Sequence, residues 1–306
     1  MALNVAICII TCHRPHGLEK LLDSLNNLTF SENAQPNIHV VVVDNDPQGS
    51  AEDIVSGTGL IWPHTYVVEQ EKGIPFARNR CMEIALEQGS EWIAFLDDDE
   101  YCDAAWLDAL LAMQKTGSAD VVWGPVFPVY ESPVPAWMEK GGFYDRWHYE
   151  NGQRITSAAT NNVFFRTALV TEGKLRFNTA MRHTGGTDHL FFKQAVQRGY
   201  NIVWASEAKV WEDIPENRLT EAWLCKRFLR LGNTHTLTCL YLDSGWGMRI
   251  KVFAQGMLRF TLGALAYPAT WLLPKQYGMK IKRAFFRGVG MLSALCNIRY
   301  QEYKNN

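Results

Sequence analysis

Three short apolar segments, each followed at once by polar residues, constrain the fold of this chain more than any other feature. They cover residues 5–10, 38–43 and 92–96, and only His39 interrupts them. Nearly continuous apolar strands are typical of parallel sheets that are buried on both faces. Between the segments, leucines at helical spacing indicate helices, so strands and helices alternate. The sequence therefore predicts an α/β fold with a mostly parallel, Rossmann-like sheet flanked by helices.

Charge is distributed unevenly along the 306 residues. The net charge of −2 combines a net −11 over residues 1–243 with a net +9 over residues 244–306. An acidic body with a basic end suggests a partner surface for that end. We therefore expect a main domain over residues 1–243, whose strand–helix alternation lies in residues 1–127 and breaks down in residues 128–243. Residues 244–306 form a separate basic C-terminal region.

This basic region combines its charge with apolar segments. Residues 260–274 carry no charge, but they are shorter than the ~20 apolar residues that a spanning helix needs. Residues 277–297 mix basic and apolar side chains in the pattern of an interfacial helix. The sequence predicts amphipathic helices that associate with an anionic membrane surface, and the alternative is that these helices pack on the main domain. No recognisable nucleic-acid module accompanies the basic residues, so we expect no nucleic-acid partner.

Four adjacent acids, residues 97–100, follow the third apolar segment. In extended backbone, Asp97 and Asp99 point to one side and Asp98 to the other. Two carboxylates on one side can hold a divalent cation whose other ligands are water and substrate phosphates. The alternative is a solvated turn that precedes a helix. Position at the carboxyl end of a strand favours function, since ligands of open α/β sheets bind there.

The other two apolar segments also end in candidate binding residues. Thr11 and Arg14 follow the first segment, and Asp44 ends the second. Asp44 can accept hydrogen bonds from a nucleoside, although an aspartate at this point also suits a turn.

Two further candidates lie near the beginnings of predicted helices. Arg78 follows Gly73 and can bind a phosphate through its planar fork, unless it is simply part of an exposed basic helix face. Asp188 follows two glycines, where a carboxylate can serve as a general base or merely stabilise the helix N-terminus. The sequence lacks a dinucleotide-binding glycine motif, a Walker loop and a Gly-x-Ser-x-Gly elbow, so dehydrogenase, kinase and hydrolase functions lose support.

Taken in order, these motifs resemble those of the family 2 glycosyltransferases, which have the GT-A fold. The resemblance covers about residues 4–240 and is greatest to bacterial enzymes of exopolysaccharide and lipopolysaccharide synthesis, such as succinoglycan glucosyltransferases. It rests on five motifs in the same order as in the family. These are the opening strand and helix start (residues 9–15), the nucleoside-binding strand end (42–45), the Gly-x-x-x-Ala-Arg-Asn segment (73–79), the Asp-x-Asp motif (95–100) and the catalytic-base motif (187–188).

The resemblance implies a metal-dependent, inverting transfer of a sugar from a nucleotide-sugar. Residues 1–127 would be the nucleotide-sugar half of a GT-A domain and residues 128–243 the acceptor half. Asp188 would be the catalytic base, and Asp97 and Asp99 would bind Mg²⁺ or Mn²⁺. The donor would be held by Thr11, Arg14, Asp44, Arg78, Asp97 and Asp98.

The resemblance implies that the donor is a UDP-sugar and that the acceptor is a lipid-linked saccharide. The enzyme would be a peripheral protein on the cytoplasmic face of the inner membrane. Two departures from the family pattern matter: Thr187 stands where a glutamate is usual, and Glu212 or Asp213 stands where many relatives have a metal-binding histidine. A sugar-nucleotidyltransferase and a non-catalytic sugar-nucleotide-binding protein are the alternative functions.

Overall fold

The computed structural model describes residues 2–117, 119–145 and 148–301. The strands are β1 (Asn4–Thr11), β2 (Asn37–Asp44), β3 (His64–Val68), β4 (Trp92–Asp97), β5 (Glu100–Cys102), β6 (Val121–Trp123), β7 (Val126–Tyr130), β8 (Arg154–Ile155), β9 (Val163–Arg166), β10 (Ile202–Trp204) and β11 (Val210–Ile214). The helices are α1 (Pro15–Asn26), α2 (Glu52–Gly57), α3 (Ile74–Glu87), α4 (Trp106–Lys115), α5 (Ala136–Lys140), α6 (Ala168–Thr171), α7 (Thr187–Gln197), α8 (Glu221–Leu242), α9 (Trp246–Ala266) and α10 (Lys275–Leu295).

An eight-stranded sheet with the order β3-β2-β1-β4-β9-β6-β10-β8 forms the centre of the fold. Strands β3, β2, β1 and β4 are parallel neighbours, whereas β9 runs antiparallel to both β4 and β6. The register pairs Thr11 with Asp44 and Ile10 with Asp97, so β1, β2 and β4 end side by side. The predicted α/β fold with a sheet flanked by helices is confirmed.

Burial on both faces explains why the strands are continuously apolar. Along β1, Val5, Ile7 and Ile9 belong to one buried cluster, which also holds side chains of α1 and α4. The alternate residues Ala6 and Cys8 belong to a second cluster, with side chains of α3 and α7. Successive residues of a strand point to opposite faces, so each face needs its own apolar residues.

The chain divides into two compact units. The first comprises residues 1–127, 146–182 and 187–212, and it contains the eight-stranded sheet. The second comprises residues 128–145, 183–186 and 213–306, and it contains α5 and the long helices α8, α9 and α10. A separate three-stranded sheet has the order β5-β11-β7. The expected domain boundary between residues 243 and 244 stays a prediction.

Helix α10 packs closely against both α8 and α9, and glycines make this possible. A Cβ atom placed on Gly232 of α8 would lie 2.1 Å from the carbonyl oxygen of Arg287 in α10. One placed on Gly263 of α9 would lie 2.6 Å from the Cα of Phe285. Larger residues at these crossings would push the helices apart. Within the described part of the chain, no helix is long and apolar enough to cross a membrane.

Candidate active site

The ends of β1 and β4 are joined by a polar cluster in the first unit. The Thr11 hydroxyl donates to Oδ2 of Asp98 at 2.8 Å, and Arg14 Nη1 donates to Oδ1 of Asp98 at 3.0 Å and to Oδ2 of Asp99 at 2.8 Å. Helix α1 can begin this close to the acids because Gly17 has no side chain. A Cβ atom there would lie 2.2 Å from the carbonyl oxygen of Asp98.

Charges within this cluster perturb one another. Burial raises the pKa of Asp98 to about 6, and Asp99 adds to the increase, while Arg14 opposes it. Desolvation acts to lower the pKa of Arg14, but three neighbouring carboxylates outweigh it and raise that pKa. The expectation that Asp97 and Asp99 point to one side and Asp98 to the other is not met. Residues 98 and 99 lie in a turn and not in extended backbone, so Asp98 and Asp99 both accept from Arg14.

Asp97 lies in a different environment from Asp98. Its nearest cation is Arg78, whose Nη2 lies 3.5 Å from Oδ1 of Asp97. Desolvation raises the pKa of Asp97 to about 7; Arg78 opposes this increase, and the charges of Asp99, Asp98 and Asp188 add to it. A carboxyl group in this state gains more from a nearby cation than an ordinary surface aspartate does.

Asp188 lies near the acids at the end of β4, since its charge acts on Asp97. It lies in the first turn of α7 and is partly exposed, and its Oδ1 accepts from the backbone N–H of His189 at 2.7 Å. The preceding residue, Thr187, is buried and accepts a hydrogen bond from Nη1 of Arg78 at 3.3 Å. Arg78 therefore contacts both Asp97 and the beginning of the helix that carries Asp188.

Both carboxylate oxygens of Asp44 accept hydrogen bonds from neighbouring groups of the protein. It is 0% exposed, and its Oδ1 accepts from the backbone N–H of Asp46 at 2.9 Å. Its Oδ2 accepts from the backbone N–H of Ala51 at 2.8 Å and from the hydroxyl of Tyr66 at 3.0 Å. These bonds match the turn that the sequence offered as the alternative for Asp44. A direct contact with a nucleoside stays a prediction.

Several residues to which the sequence analysis gave no individual role help to build this edge. Asn45 Oδ1 accepts from the backbone N–H of Gly73 at 2.7 Å, which ties the end of β2 to the beginning of α3. Asn79 both donates to the carbonyl oxygen of Phe177 and accepts from its N–H, each at 2.9 Å. The buried Glu100 accepts from the backbone N–H of Asp97 at 2.9 Å. All three lie within the motifs at residues 42–45, 73–79 and 95–100, but the motifs did not indicate these hydrogen bonds.

The acids at the end of β4 suit a divalent cation only if the substrate completes its coordination. Among the described residues, no group of three or more histidine, cysteine or acidic side chains is arranged to hold a metal ion. Asp97 and Asp99 supply hard oxygen ligands, and Mg²⁺ is commonly bound by one or two carboxylates plus substrate phosphates and water. Arg78 Nε is buried and lacks a hydrogen-bond partner in the described residues, so it remains a donor for an anionic oxygen. The side chains therefore fit a metal–diphosphate pair.

Comparison with solved structures supports the fold. The crystal structure of S. aureus TarS 1-349 in complex with UDP-GlcNAc superposes with a TM-score of 0.56 at 16% identity, covering 99% of this chain and 93% of that one. The complex of the same protein with UDP gives a TM-score of 0.54 at 17% identity over the same shares of the two chains. At these identities the likeness shows a common fold.

Sequence comparison gives the family. The chain is 35% identical over 236 residues to succinoglycan biosynthesis protein ExoM of Rhizobium meliloti (strain 1021), covering 76% of this chain and 74% of the relative. The family model for glycosyl transferase family 2 matches residues 6–171, which include most of β1, all of β2 and β4, and the acids that follow β4. On these matches, the chain is a glycosyltransferase and belongs to glycosyl transferase family 2.

Proposed function

We propose that this glycosyltransferase moves a sugar from a UDP-sugar to a lipid-linked saccharide, with inversion at the anomeric carbon, during polysaccharide synthesis. The proximity of Asp188 to the acids of β4 supports this most directly, because Arg78 contacts both Asp97 and Thr187, the residue before Asp188. A base beside a diphosphate site is the arrangement that a single displacement requires. The name of the ExoM relative favours a saccharide acceptor, and the TarS complexes favour UDP.

Arg14, Arg78, Asp97 and Asp99 would hold the donor diphosphate. Arg78 presents its unpaired Nε, and Arg14 keeps the cluster from becoming too negative. Asp97 and Asp99 would hold Mg²⁺ or Mn²⁺, which when bound neutralises charge on the leaving diphosphate. Thr11 and Asp98 fix the position of Arg14. Asp44 orders the turn after β2, beside which the uracil base would lie.

In the reaction, Asp188 accepts the proton of the attacking acceptor hydroxyl. As that oxygen forms its bond to C1 of the sugar, the bond between C1 and the diphosphate oxygen breaks, and its electron pair leaves with UDP. The new bond forms on the face opposite the leaving group, so the configuration at C1 inverts. The hydrogen bond from the His189 N–H holds the Asp188 carboxylate in place for this transfer.

Calorimetric titration with UDP tests the donor site. We expect wild-type protein to bind UDP more tightly with Mn²⁺ than without it, and Asp99→Ala to lose this dependence. The matched control is Asp23→Ala, which removes an exposed carboxylate from α1 elsewhere on the same unit. Binding of UDP that ignores both the metal and Asp99 would refute the metal assignment.

Turnover tests the base. We expect Asp188→Asn to retain UDP binding but to lose about 10²–10⁴-fold in turnover, which is the usual contribution of a positioned general base. Proton NMR of the product, compared with the donor, reports the configuration at C1. Retained configuration, or full turnover by Asp188→Asn, would contradict the proposed mechanism.

We further propose that the enzyme works as a peripheral protein on the cytoplasmic face of the inner membrane. The net +9 of residues 244–306 supports an anionic lipid surface as the partner of this region. Fractionation of cells should then recover the protein with inner membranes at low salt and release it at high salt.

A further inference from the structure

Helix α9 carries apolar residues on two opposite faces, although a helix packed on a protein normally needs only one. Val252, Gly256 and Gly263 are buried, and the two glycines lie against α10. Large apolar side chains on α9 are nevertheless exposed, namely Trp246, Ile250, Phe253, Leu258, Leu262 and Leu265. At about 100° per residue, the centres of these two sets lie roughly 180° apart. The second face is thus directed away from α10.

Exposure on this outer face is high and continues beyond the helix. Trp246 is 81% exposed at the beginning of α9, and Leu265 is 81% exposed near its end. In the segment that follows, Trp271 is 85% and Leu272 is 88% exposed. A contiguous apolar surface of this kind marks an interaction site, since soluble proteins rarely leave one uncovered. Tryptophans at its two ends suit the boundary between lipid and water.

The charges on α9 identify the partner. Its charged residues are Arg249, Lys251 and Arg259, all exposed, and it contains no acidic residue. Long basic side chains beside an apolar face can reach headgroup phosphates while the apolar residues enter the acyl region. A protein partner would not require both an acyl-like face and an exclusively basic flank. A surface of anionic phospholipid matches both.

Helix α10 has a different role from the one its sequence pattern suggests. Lys280 and Arg283 of α10 are exposed, but its apolar residues other than Tyr277 are buried or half-buried, and the helix packs against α8 and α9. Gly290 fits so closely that a Cβ atom there would lie 2.0 Å from the carbonyl oxygen of Leu229 in α8. Helix α10 therefore supports α9 and adds charge, without a free apolar face of its own.

We propose that the outer face of α9, together with residues 271–273, inserts into an anionic phospholipid leaflet with the helix axis along the surface. This inference rests on the proposed function only because that proposal already names an anionic membrane as a partner. The inference adds which helix binds the membrane. Binding through α9 needs neither UDP nor a metal ion. The lipid surface and the donor site can thus be tested separately.

Co-flotation of the full-length protein with vesicles tests this assignment. We expect binding to vesicles of phosphatidylglycerol and phosphatidylcholine in equal parts, and weaker binding to phosphatidylcholine alone. The double variant Leu262→Gln/Leu265→Gln should lower the partition coefficient about tenfold or more, because two side chains leave the apolar region. Lys251→Gln/Arg259→Gln should lower it roughly fivefold per residue on the anionic vesicles only.

Matched controls separate this effect from misfolding. Ile61→Gln makes the same type of change at another exposed apolar residue, in the first unit, and should leave flotation unchanged. Because Leu262 and Leu265 are exposed, their variant should melt like the wild type and should bind UDP equally well. Asp99→Ala should float like the wild type, so a failed donor site would leave this result intact.

Two results would overturn the proposal. One is unchanged flotation of the Leu262→Gln/Leu265→Gln variant on anionic vesicles. The other is a wild-type protein that sediments as a dimer and becomes a monomer in this variant, because the partner of α9 would then be a second copy of the chain. If the protein still binds UDP in either case, only the assignment of the lipid-binding surface is refuted, and the proposed donor site is not.

Discussion

In the first unit, β2 and β4 lie on either side of β1 and both end in aspartates, but the surroundings of these carboxylates differ in kind. At the end of β2, Asp44 accepts three hydrogen bonds from two backbone N–H groups and Tyr66. At the end of β4, Asp97 and Asp98 lie among other carboxylates, and the pKa of each is raised. Hydrogen bonds to a carboxylate stabilise its charged form, whereas desolvation and like charges destabilise it.

The difference separates a structural acid from acids available for binding. The bonds of Asp44 tie residues 44–51 into a turn, so its loss should reduce stability. The acids after β4 are held in an unfavourable electrostatic state, which a bound cation would relieve. Their loss should therefore reduce activity more than stability. Four measurements test this difference between the two strand ends.

The largest effect is expected for Asp99→Asn. Turnover should fall about 10³-fold, because a metal ligand close to the developing negative charge is lost. The free energy of unfolding should change by less than about 1 kcal/mol, since a partly exposed ion pair with Arg14 contributes little. Steady-state kinetics and denaturant unfolding measure the two quantities. Asp23→Asn is the control, and a stable but fully active Asp99→Asn enzyme would break the contrast.

Asp44→Ala should show the opposite behaviour. Three donors lose their acceptor in a buried position, which should lower the free energy of unfolding by about 3 kcal/mol. Urea titration at neutral pH measures this loss, with Asp53→Ala on the exposed surface of α2 as the control. Were Asp44→Ala as stable as the wild type but unable to bind UDP, Asp44 would be a binding residue and the turn would be secondary.

The raised pKa values predict how stability depends on pH in the absence of a metal ion. Folded Asp97 titrates at about 7 and Asp98 at about 6, whereas both groups titrate near 4 in the unfolded chain. The folded state therefore binds more protons between these values, and stability falls as pH rises from about 4 to 7.

For Asp97 alone the loss should be about 1–2 kcal/mol, because its side chain is 36% exposed and water screens part of the repulsion. Melting temperatures of wild type and Asp97→Asn, recorded with a chelator between pH 5 and 8, isolate this contribution. The variant should show a flatter profile. Parallel profiles would mean that the charge of Asp97 does not destabilise the folded protein.

The sequence was sufficient to predict the sheet, since buried parallel strands are apolar at every position and polar residues follow them. The sequence also predicted that Thr11, Asp44 and Asp97 lie at one edge of the sheet, and the strand register places them there. The antiparallel insertion of β9 between β4 and β6 could not be predicted, because strand order depends on packing between distant segments.

Fine detail of the site was less predictable for the same reason. The donors to Asp44 include Ala51 and Tyr66, which reach it only after the chain has turned back. The close approach of Gly17 to Asp98 joins residues from two separate elements. Whether α9 or α10 has a free apolar face also depends on which helix lies between its neighbours. The catalytic, donor and metal roles assigned from motifs stay predictions.

Tyr66→Phe should have the smallest effect and gives the finest test of the contrast. It removes the hydroxyl that donates to Asp44 Oδ2 but leaves the two backbone donors in place. The expected loss is therefore only about 0.5–1 kcal/mol in the free energy of unfolding, with turnover unchanged. Urea unfolding and kinetics on the same preparation measure both. A large loss of turnover at nearly full stability would place the Asp44–Tyr66 pair in contact with the donor, and both strand ends would then belong to the binding site.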